Sequence, residues 1–375
     1  MKRAHKIRLY PNNKQTTMLK KHCGVARLTY NQCLERWCKD YEGGIKHNFF
    51  TIKKWWNKTK IIKFPYALEV SKWAGEEAIR DLGDAFKRFF KKQNDHPTFR
   101  KKGVNDSFRI TGSVIKVEGK LLKLPKGLHI KMAEELRFEP LKIYNVTVSR
   151  TADMWFVSIQ CEVPESESQA EGAVGIDLGV TDLATLSDGT KFANPKAERK
   201  FRKKIARAQR NLHRKQKGSK NRRKAQMKLA RVYYKSSCYR SDYLHKMTSA
   251  IANKYATVCL EDLNVKGMLQ NHCLARAISD AAMNLCRNML LYKAQEVRFI
   301  GRFDASSKIC HVCDYRKDDL KLSDRHWTCA QCGASLDRDV NAAKNVLRWA
   351  TSEVKPVDCS KSRAKQELNS MTKVS

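Results

Sequence analysis

Seven residues of this sequence have the types and spacing of metal ligands, and they fall into two sets. The first is acidic. The strand-like run AVGIDLGV, residues 173–180, carries Asp177 between glycines; YATVCLEDL, residues 255–263, places Glu261 near its end; DRDVNAAKNVLRWA, residues 337–350, opens a helix with Asp339. An uncompensated carboxylate inside an apolar strand is costly. Asp177 and Glu261 therefore stand apart from Asp182, Asp188, Asp262 and Asp337, which read as ordinary turn residues. In the first run Val174, Ile176 and Leu178 face one way and Gly175, Asp177 and Gly179 the other, where the glycines leave room for a metal ion and a phosphate. Glu261 shares a strand face with Tyr255, Thr257 and Cys259, opposite Ala256, Val258 and Leu260. On the helix, Asp339 lies in line with Ala342, Ala343, Val346 and Ala350 and so points toward the sheet it packs on. Three carboxylates on two strands and one helix are hard oxygen donors suited to a pair of Mg²⁺ ions. In such a site one ion activates a water and the other stabilises the leaving oxygen of a phosphodiester.

The second set is sulfur. CHVC, fifteen residues and CAQC place Cys310, Cys313, Cys329 and Cys332 in the spacing of a zinc ribbon. A two-residue gap lets both thiolates of a knuckle reach one tetrahedral ion, and Gly333 eases the second turn. Four thiolates close the shell, so one structural Zn²⁺ is expected, with His311 as a competing but unnecessary ligand. The other cysteines are scattered and read as small hydrophobes.

Between and around these ligands the charge is uneven. The chain has 375 residues, 75 of them Lys or Arg and 38 Asp or Glu, a formal net charge of +37. Residues 1–60 hold +12 of it and residues 196–240 hold +18, while 171–195, around Asp177, are slightly acidic. Leu212, Met227, Leu229, Val232, Tyr233 and Tyr234 interrupt the second run at helical spacing, which argues against a disordered tail and for a folded polyanion-binding surface. Arg202, Lys203, Lys204, Arg207 and Arg210, then Arg214, Lys215, Lys217, Lys220, Arg222, Arg223 and Lys224, are the candidate nucleic-acid contacts. No stretch approaches the roughly 20 apolar residues of a membrane span. The start, MKRAHKIRLYPNNK, has no apolar core for a secretory signal, and the odd count of 13 cysteines suits a reducing compartment. Membrane and secreted classes are excluded, and a cytoplasmic, nucleoid-associated location is expected.

The elements that must position these residues are legible in outline. KRAHKIRLYP alternates as a strand up to Pro11. Met18, Leu19, Val25, Ala26, Tyr30, Leu34 and Trp37 recur at helical spacing, as do Ala78, Ile79, Leu82, Ala85, Phe86, Phe89 and Phe90. Trp55, Trp56 and Trp73 read as core in preference to a base-stacking surface. SVIKVEGKLLKL turns at Glu118-Gly119, and NVTVSRTADMWFVSIQCEV turns near Ala152-Asp153; an antiparallel barrel or curled sheet would close such strands. PESESQAEG, residues 164–172, reads as a linker.

Taken together these segments resemble the TnpB family, insertion-sequence-encoded RNA-guided nucleases related to type V CRISPR effectors. The resemblance spans nearly the whole chain. HKIRLYPNNKQ with Tyr30-Asn31 resembles the family's start, and KLPKGLHIKM and VTVSRTADMWFVSI its barrel strands. GIDLGVTDLATLSDG, HRKQKGSKNRRKAQMKLA, DYLHKMTSAIA, LEDLNVKGM and the ribbon block through DRDVNAAKN are its most specific segments. Asp314 stands where the family commonly has Gly. The resemblance implies a multidomain α/β chain: a β-barrel wedge domain over 1–10 and 100–165, and a helical recognition domain over 11–99. It further implies a RuvC-like nuclease domain of RNase H fold over 173–305 and 337–352, with basic helices over 196–250. A zinc ribbon over 306–336 interrupts that domain before the third acid, and a mobile tail covers 353–375.

By the same resemblance Asp177, Glu261 and Asp339 are the catalytic acids. The partners are a guide RNA from the transposon end and double-stranded target DNA beside a short motif, and a monomer is expected. In that scheme base pairing selects the target while the protein reads the adjacent motif. Two other functions use the same scaffold: a repressor that binds without cutting, and a transposase that performs strand transfer with the same two-metal chemistry. Retention of all three acids disfavours the first; the domain order and ribbon disfavour the second.

Overall fold

The computed structural model describes residues 2–112, 114–164, 169–301, 304, 306–321 and 324–352. The tail over 353–375 and residues 165–168 of the expected linker lie outside the described residues. The chain divides into two compact units, residues 1–166 and 167–375.

In the first unit, strand β1 (Lys2–Tyr10) buries His5, Ile7 and Leu9 and exposes their alternates. Asn12 then caps helix α1 (Asn13–Glu42) in a reciprocal box with Gln15. Asn48 and Thr51 do the same for α2 (Phe49–Lys63), which is followed by a short 3₁₀ turn and α3 (Lys72–Phe90). The strands β2 (Ser107–Thr111), β3 (Lys116–Glu118), β4 (Leu121–Leu124), β5 (Leu128–Met132), β6 (Lys142–Thr151) and β7 (Met154–Glu162) complete the unit. The two hairpins form where expected, with Gly119 at φ 50° and Ala152 at φ 56° in their turns. One apolar cluster joins both layers, from Leu19, Leu34 and Trp56 on the helices to Ile110, Ile130 and Ile159 on the strands. Trp56 is fully inside it and Trp55 and Trp73 pack on its edge, so the tryptophans are core.

The expected barrel does not form. The sheet is open, in the order β2-β6-β7-β1-β5-β4-β3, and among the described residues β2 and β3 each have one strand neighbour. Closure would need β3, only three residues long, to pair with β2. Helices occupy that edge instead. His22 of α1 stacks on Phe108 at 4.7 Å between ring centroids. Glu77 of α3 accepts from Arg109 at 3.5 Å and Thr111 at 3.4 Å. A sheet edge covered by helices is protected without closure.

The second unit is built on a five-stranded sheet in the order β10-β9-β8-β11-β12, formed by β8 (Ala173–Asp177), β9 (Asp182–Leu186), β10 (Lys191–Ala193), β11 (Thr257–Glu261) and β12 (Glu296–Ile300). β8, β11 and β12 run parallel, and β9 and β10 are antiparallel additions on the other side. Between β10 and β11 come α4 (Ala197–His213) and α5 (Lys220–Lys254), packed as a helical hairpin. α6 (Val265–Met268), α7 (Ala275–Ala281) and α8 (Met283–Lys293) follow β11. The sheet's two faces are divided by strand alternation. Val174, Ile176, Val258 and Leu260 meet Leu244, Met247 and Ile251 of α5 and Cys286, Met289 and Leu290 of α8. The opposite face, with Cys259 and Ile300, meets Val346 and Ala350 of a later helix. That helix, α9 (Arg338–Ser352), is reached through a small cysteine-bearing hairpin, β13 (His326–Thr328) and β14 (Ser335–Asp337).

Outside the CxxC pairs, Cys23, Cys33, Cys161, Cys259 and Cys286 are buried, as small hydrophobes should be. Cys238 and Cys273 are exposed, against that reading. Among the described residues no helix is long and apolar enough to cross a membrane.

Candidate active site and metal centre

Asp177 and Glu261 sit at the C-terminal ends of neighbouring parallel strands, on the face that α9 covers. Gly175 pairs with Cys259 in the register, and each acid lies two residues further along its strand. Gly175 explains how the third acid arrives. A Cβ there would lie 2.0 Å from the Ala343 carbonyl oxygen and 2.6 Å from the Leu347 nitrogen, so only glycine lets α9 lie this close. Gly179 likewise makes room for the Asp182 carbonyl, at 2.7 Å from its would-be Cβ. The two glycines beside Asp177 thus serve backbone packing, and not the open space for a ligand that their spacing suggested. Asp337 fixes the start of α9: its Oδ1 accepts from the backbone N–H of Asp339 and Val340, each at 3.0 Å, and its Oδ2 accepts from Lys191 Nζ at 2.7 Å. Asp339 stands in the first turn, near enough to Asp177 for its charge to act there.

The electrostatics agree with three anions brought together. Burial, then the charges of Glu261 and Asp339, push the Asp177 carboxyl up to about 7, against the opposing pull of Arg338 and Arg325. Burial also raises Glu261, with the charge of Asp304 adding to it, while a hydrogen bond from Ser306 opposes the shift. Arg325 lies against Asp339, with Nη1 3.3 and 3.2 Å from the two carboxylate oxygens and Nη2 3.4 Å from Thr181 Oγ1. Hard oxygen donors that are buried and anionic would suit divalent Mg²⁺. Asp188, by contrast, is engaged by Tyr255, Lys254 and the Thr190 backbone, and Asp262 by Arg287 at 3.4 Å.

Several of these residues escape the sequence reading. Ser306 and Arg325 have no local signature. Asn341 and Asn345 had one: two amides four residues apart on the alanine-lined face of α9 must find partners if that face is buried. Both are buried, and their Nδ2 atoms donate to the Ile309 carbonyl at 2.7 and 2.6 Å.

Cys310, Cys313, Cys329 and Cys332 form a separate centre, with sulfurs all within 4.8 Å of one another. The Cys310–Cys332 and Cys313–Cys329 sulfur pairs are 3.8 and 3.5 Å apart. Their two knuckles are the same turn. Asp314 N–H donates to Cys310 O at 3.0 Å and Gly333 N–H to Cys329 O at 2.9 Å, with φ of 61° and 71°. Asp314 thus adopts the left-handed conformation that glycine takes in the second knuckle. His311 turns away from the sulfurs: its ring and backbone N–H both meet Asn341 Oδ1, each at 2.9 Å, and its Nε2 meets Lys344 Nζ at 3.3 Å. The candidate ligand set is four sulfurs.

Of the basic candidates, Arg202, Lys203, Lys204, Arg207 and Arg210 are exposed on α4, Arg214, Lys215 and Lys217 on the loop, and Lys220, Arg223 and Lys224 on α5. Arg222 is half-buried instead. Its Nη1 donates to the Leu212 and Lys215 carbonyls at 3.2 and 2.9 Å, closing the end of α4 and the loop beyond it. Lys200 lies over the Tyr239 ring at 3.8 Å, one of the contacts that join the two helices.

Comparison with known proteins places this architecture. Residues 156–272 match the family described as "Probable transposase", and residues 285–346 match "Cas12f1-like, TNB domain". Residues 1–46 match a family described as "Helix-turn-helix domain", although here they form one strand and one long helix. A Streptomyces pristinaespiralis protein named "Putative RNA-guided DNA endonuclease" is 40% identical over 92% of this chain and 89% of its own length. Escherichia coli K12 InsQ, which carries the same description, is 32% identical over 92% of this chain and 91% of its own. Among solved structures, a Cas12f1–sgRNA–target DNA complex matches with a TM-score of 0.55 at 14% identity, covering 92% of this chain and 98% of that one; it shares the fold. With two relatives above 30% identity aligned along almost their full length, and motifs running from the first strand to the last helix, this chain belongs to the TnpB family.

Proposed function

We propose that this chain is an RNA-guided DNA endonuclease. In this reading a transposon-derived guide RNA selects complementary double-stranded DNA beside a short motif, and a RuvC-like site hydrolyses it, in the cytoplasm. The observation that supports the reading is membership of a family whose curated relatives are described as RNA-guided DNA endonucleases, together with Asp177 and Glu261 at the ends of neighbouring strands and the charge of Asp339 acting on Asp177. The strand order, three antiparallel strands continued by two parallel ones, fits an RNase H fold, with Asp177 and Glu261 at C-terminal strand ends and Asp339 in the first turn of α9. Asp177, Glu261 and Asp339 would hold two Mg²⁺ ions, which supply an activated water and charge stabilisation of the leaving oxygen. Arg325 lies 3.2 Å from Asp339 Oδ2 and would balance part of the negative charge there. The four cysteines would hold one structural zinc with a closed shell. The exposed basic faces of α4 and α5 would carry nucleic acid chiefly through phosphates.

The test is Asp177→Ala in the protein purified with its own RNA. Divalent-metal-dependent cleavage should fall by at least about 1,000-fold, while the amount of bound RNA stays the same. Retained cutting refutes the site, and the absence of any discrete copurifying RNA refutes the guided reading. Joined strand-transfer products from the wild type would reassign the chain to transposition.

A further inference from the structure

Glu261 is held from a direction the catalytic acids do not provide. Ser306, itself only 5% exposed, donates its hydroxyl to Glu261 Oε1. The serine has little freedom, because its carbonyl is gripped from α9. Asn345 Nδ2 donates to Ser306 O at 2.8 Å and Asn341 Nδ2 reaches it at 3.5 Å. The same two amides hold the Ile309 carbonyl, one residue before the first cysteine of the sulfur centre, and Asn341 Oδ1 accepts from His311 N–H. Asn341 and Asn345 are 1% and 0% exposed, so these bonds lie away from competing water. A single helix therefore carries Asp339 on its first turn and, within the next two turns, holds the segment that hydrogen-bonds Glu261.

We propose that Ser306 is a positioning residue for the metal site: anchored by Asn341 and Asn345, its hydroxyl occupies one oxygen of Glu261 and leaves Oε2 as the ligand atom. The inference rests on the nuclease reading of the three acids and adds a residue to it. An aliphatic-linked carboxylate at a strand end has free side-chain torsions, and a hydrogen bond from outside the ligand set restricts them. It also makes the sulfur ribbon a structural support for Glu261 as well as for Asp339, because the chain leaves Ser306 directly into the first knuckle.

The experiment compares wild type, Ser306→Ala, Ser306→Thr and Asp177→Ala as full-length protein with bound RNA, after zinc content and bound RNA are found equal in all four. Mn²⁺ binding is measured by electron paramagnetic resonance, and cleavage is followed against Mg²⁺ concentration. Ser306→Ala should weaken Mn²⁺ binding and raise the Mg²⁺ concentration for half-maximal cutting by about 10-fold, with most of the rate recovered at saturating Mg²⁺. Ser306→Thr, which keeps the hydroxyl, should return both to within about 3-fold of wild type. Unchanged metal dependence in Ser306→Ala, or a fall in rate that no metal concentration recovers, overturns the positioning role. Failure of the underlying reading looks different: Asp177→Ala would then cut like the wild type, while the Mn²⁺ titration would still report on Ser306.

Discussion

The four cysteines and the three acids are both candidate metal-ligand sets of one unit, and they are assembled in opposite ways. The four cysteines lie within 23 residues of sequence, and their two knuckles repeat the same backbone turn. The three acids are separated by 84 and then 78 residues, and the helix that carries Asp339 lies against the strand of Asp177 at a distance that one glycine permits. The local centre depends on its own few residues and tolerates events elsewhere. The dispersed set would depend on the whole packed unit, including the cysteine-bearing segment linked to Glu261 through Ser306 and α9.

Gly175→Ala tests this contrast most severely. The added methyl has to displace backbone of α9, not a flexible side chain, so a loss of about 3 kcal/mol or more is expected. Cleavage should be abolished while zinc stays at one per chain, as read by metal analysis of the folded fraction. Normal cleavage in this variant would mean that the helix is not what brings Asp339 to the sheet.

Cys329→Ser addresses the other half. Zinc should fall below one per chain, and hydrogen exchange should rise across 306–336 but not in the five-stranded sheet, because a closed thiolate shell is the main support of so small a core. Cleavage should fall by about 10- to 100-fold, since Ser306 and α9 lose their anchor. Full zinc content in this variant would show that the four sulfurs are not the ligand set.

A smaller and opposite effect is expected at Asp177. Burial and its two acidic neighbours raise its carboxyl to about 7, from an ordinary value of 3.8. The folded chain thus binds this proton more tightly than the unfolded one. Without divalent metal, this group's contribution to stability is fully present below about pH 4 and is lost as the pH rises to about 7. Asp177→Asn should therefore stabilise the metal-free protein by roughly 1–3 kcal/mol at pH 8 and by less at pH 5, while removing cleavage. An unfolding midpoint that responds equally at both pH values would show that the three carboxylates are not crowded.

The mildest change is Asp314→Gly. It relieves a left-handed φ of 61° but gives up the ion pair with Arg348 and adds freedom to the unfolded chain. These terms oppose one another, so the shift in unfolding free energy should stay within about 1 kcal/mol. Loss of zinc from this variant would show that the two knuckles are not equivalent.

Much of this was legible residue by residue. Alternation around Asp177 and Glu261 placed both on the strand face opposite Ile176 and Leu260, and the helical spacing of Val346 and Ala350 identified the face of α9 that packs on the sheet. Turn chemistry located the hairpins at Gly119 and Ala152, because a positive φ is a local demand. Other features left no such trace. Strand periodicity is the same in an open sheet and a barrel, so it was silent on whether helices or strands cover the β2 edge. Arg222 carries the same charge as its neighbours, and only the folded loop directs it to two carbonyls. Glycine beside a carboxylate suggested room for a ligand, and the room is filled by α9.

What the sequence by itself determined is the inventory: hard oxygen donors for one site, four sulfurs at knuckle spacing for another, and a basic run with enough apolar residues to be helical. These follow from side-chain chemistry and short-range backbone geometry, which a few consecutive residues contain. Only the tertiary structure decided how closely α9 approaches the sheet, and that Ser306 and a pair of buried asparagines stand behind Glu261. Those outcomes depend on contacts between elements far apart in the chain. Their energies come from burial and close packing, which exist only once both surfaces are in place.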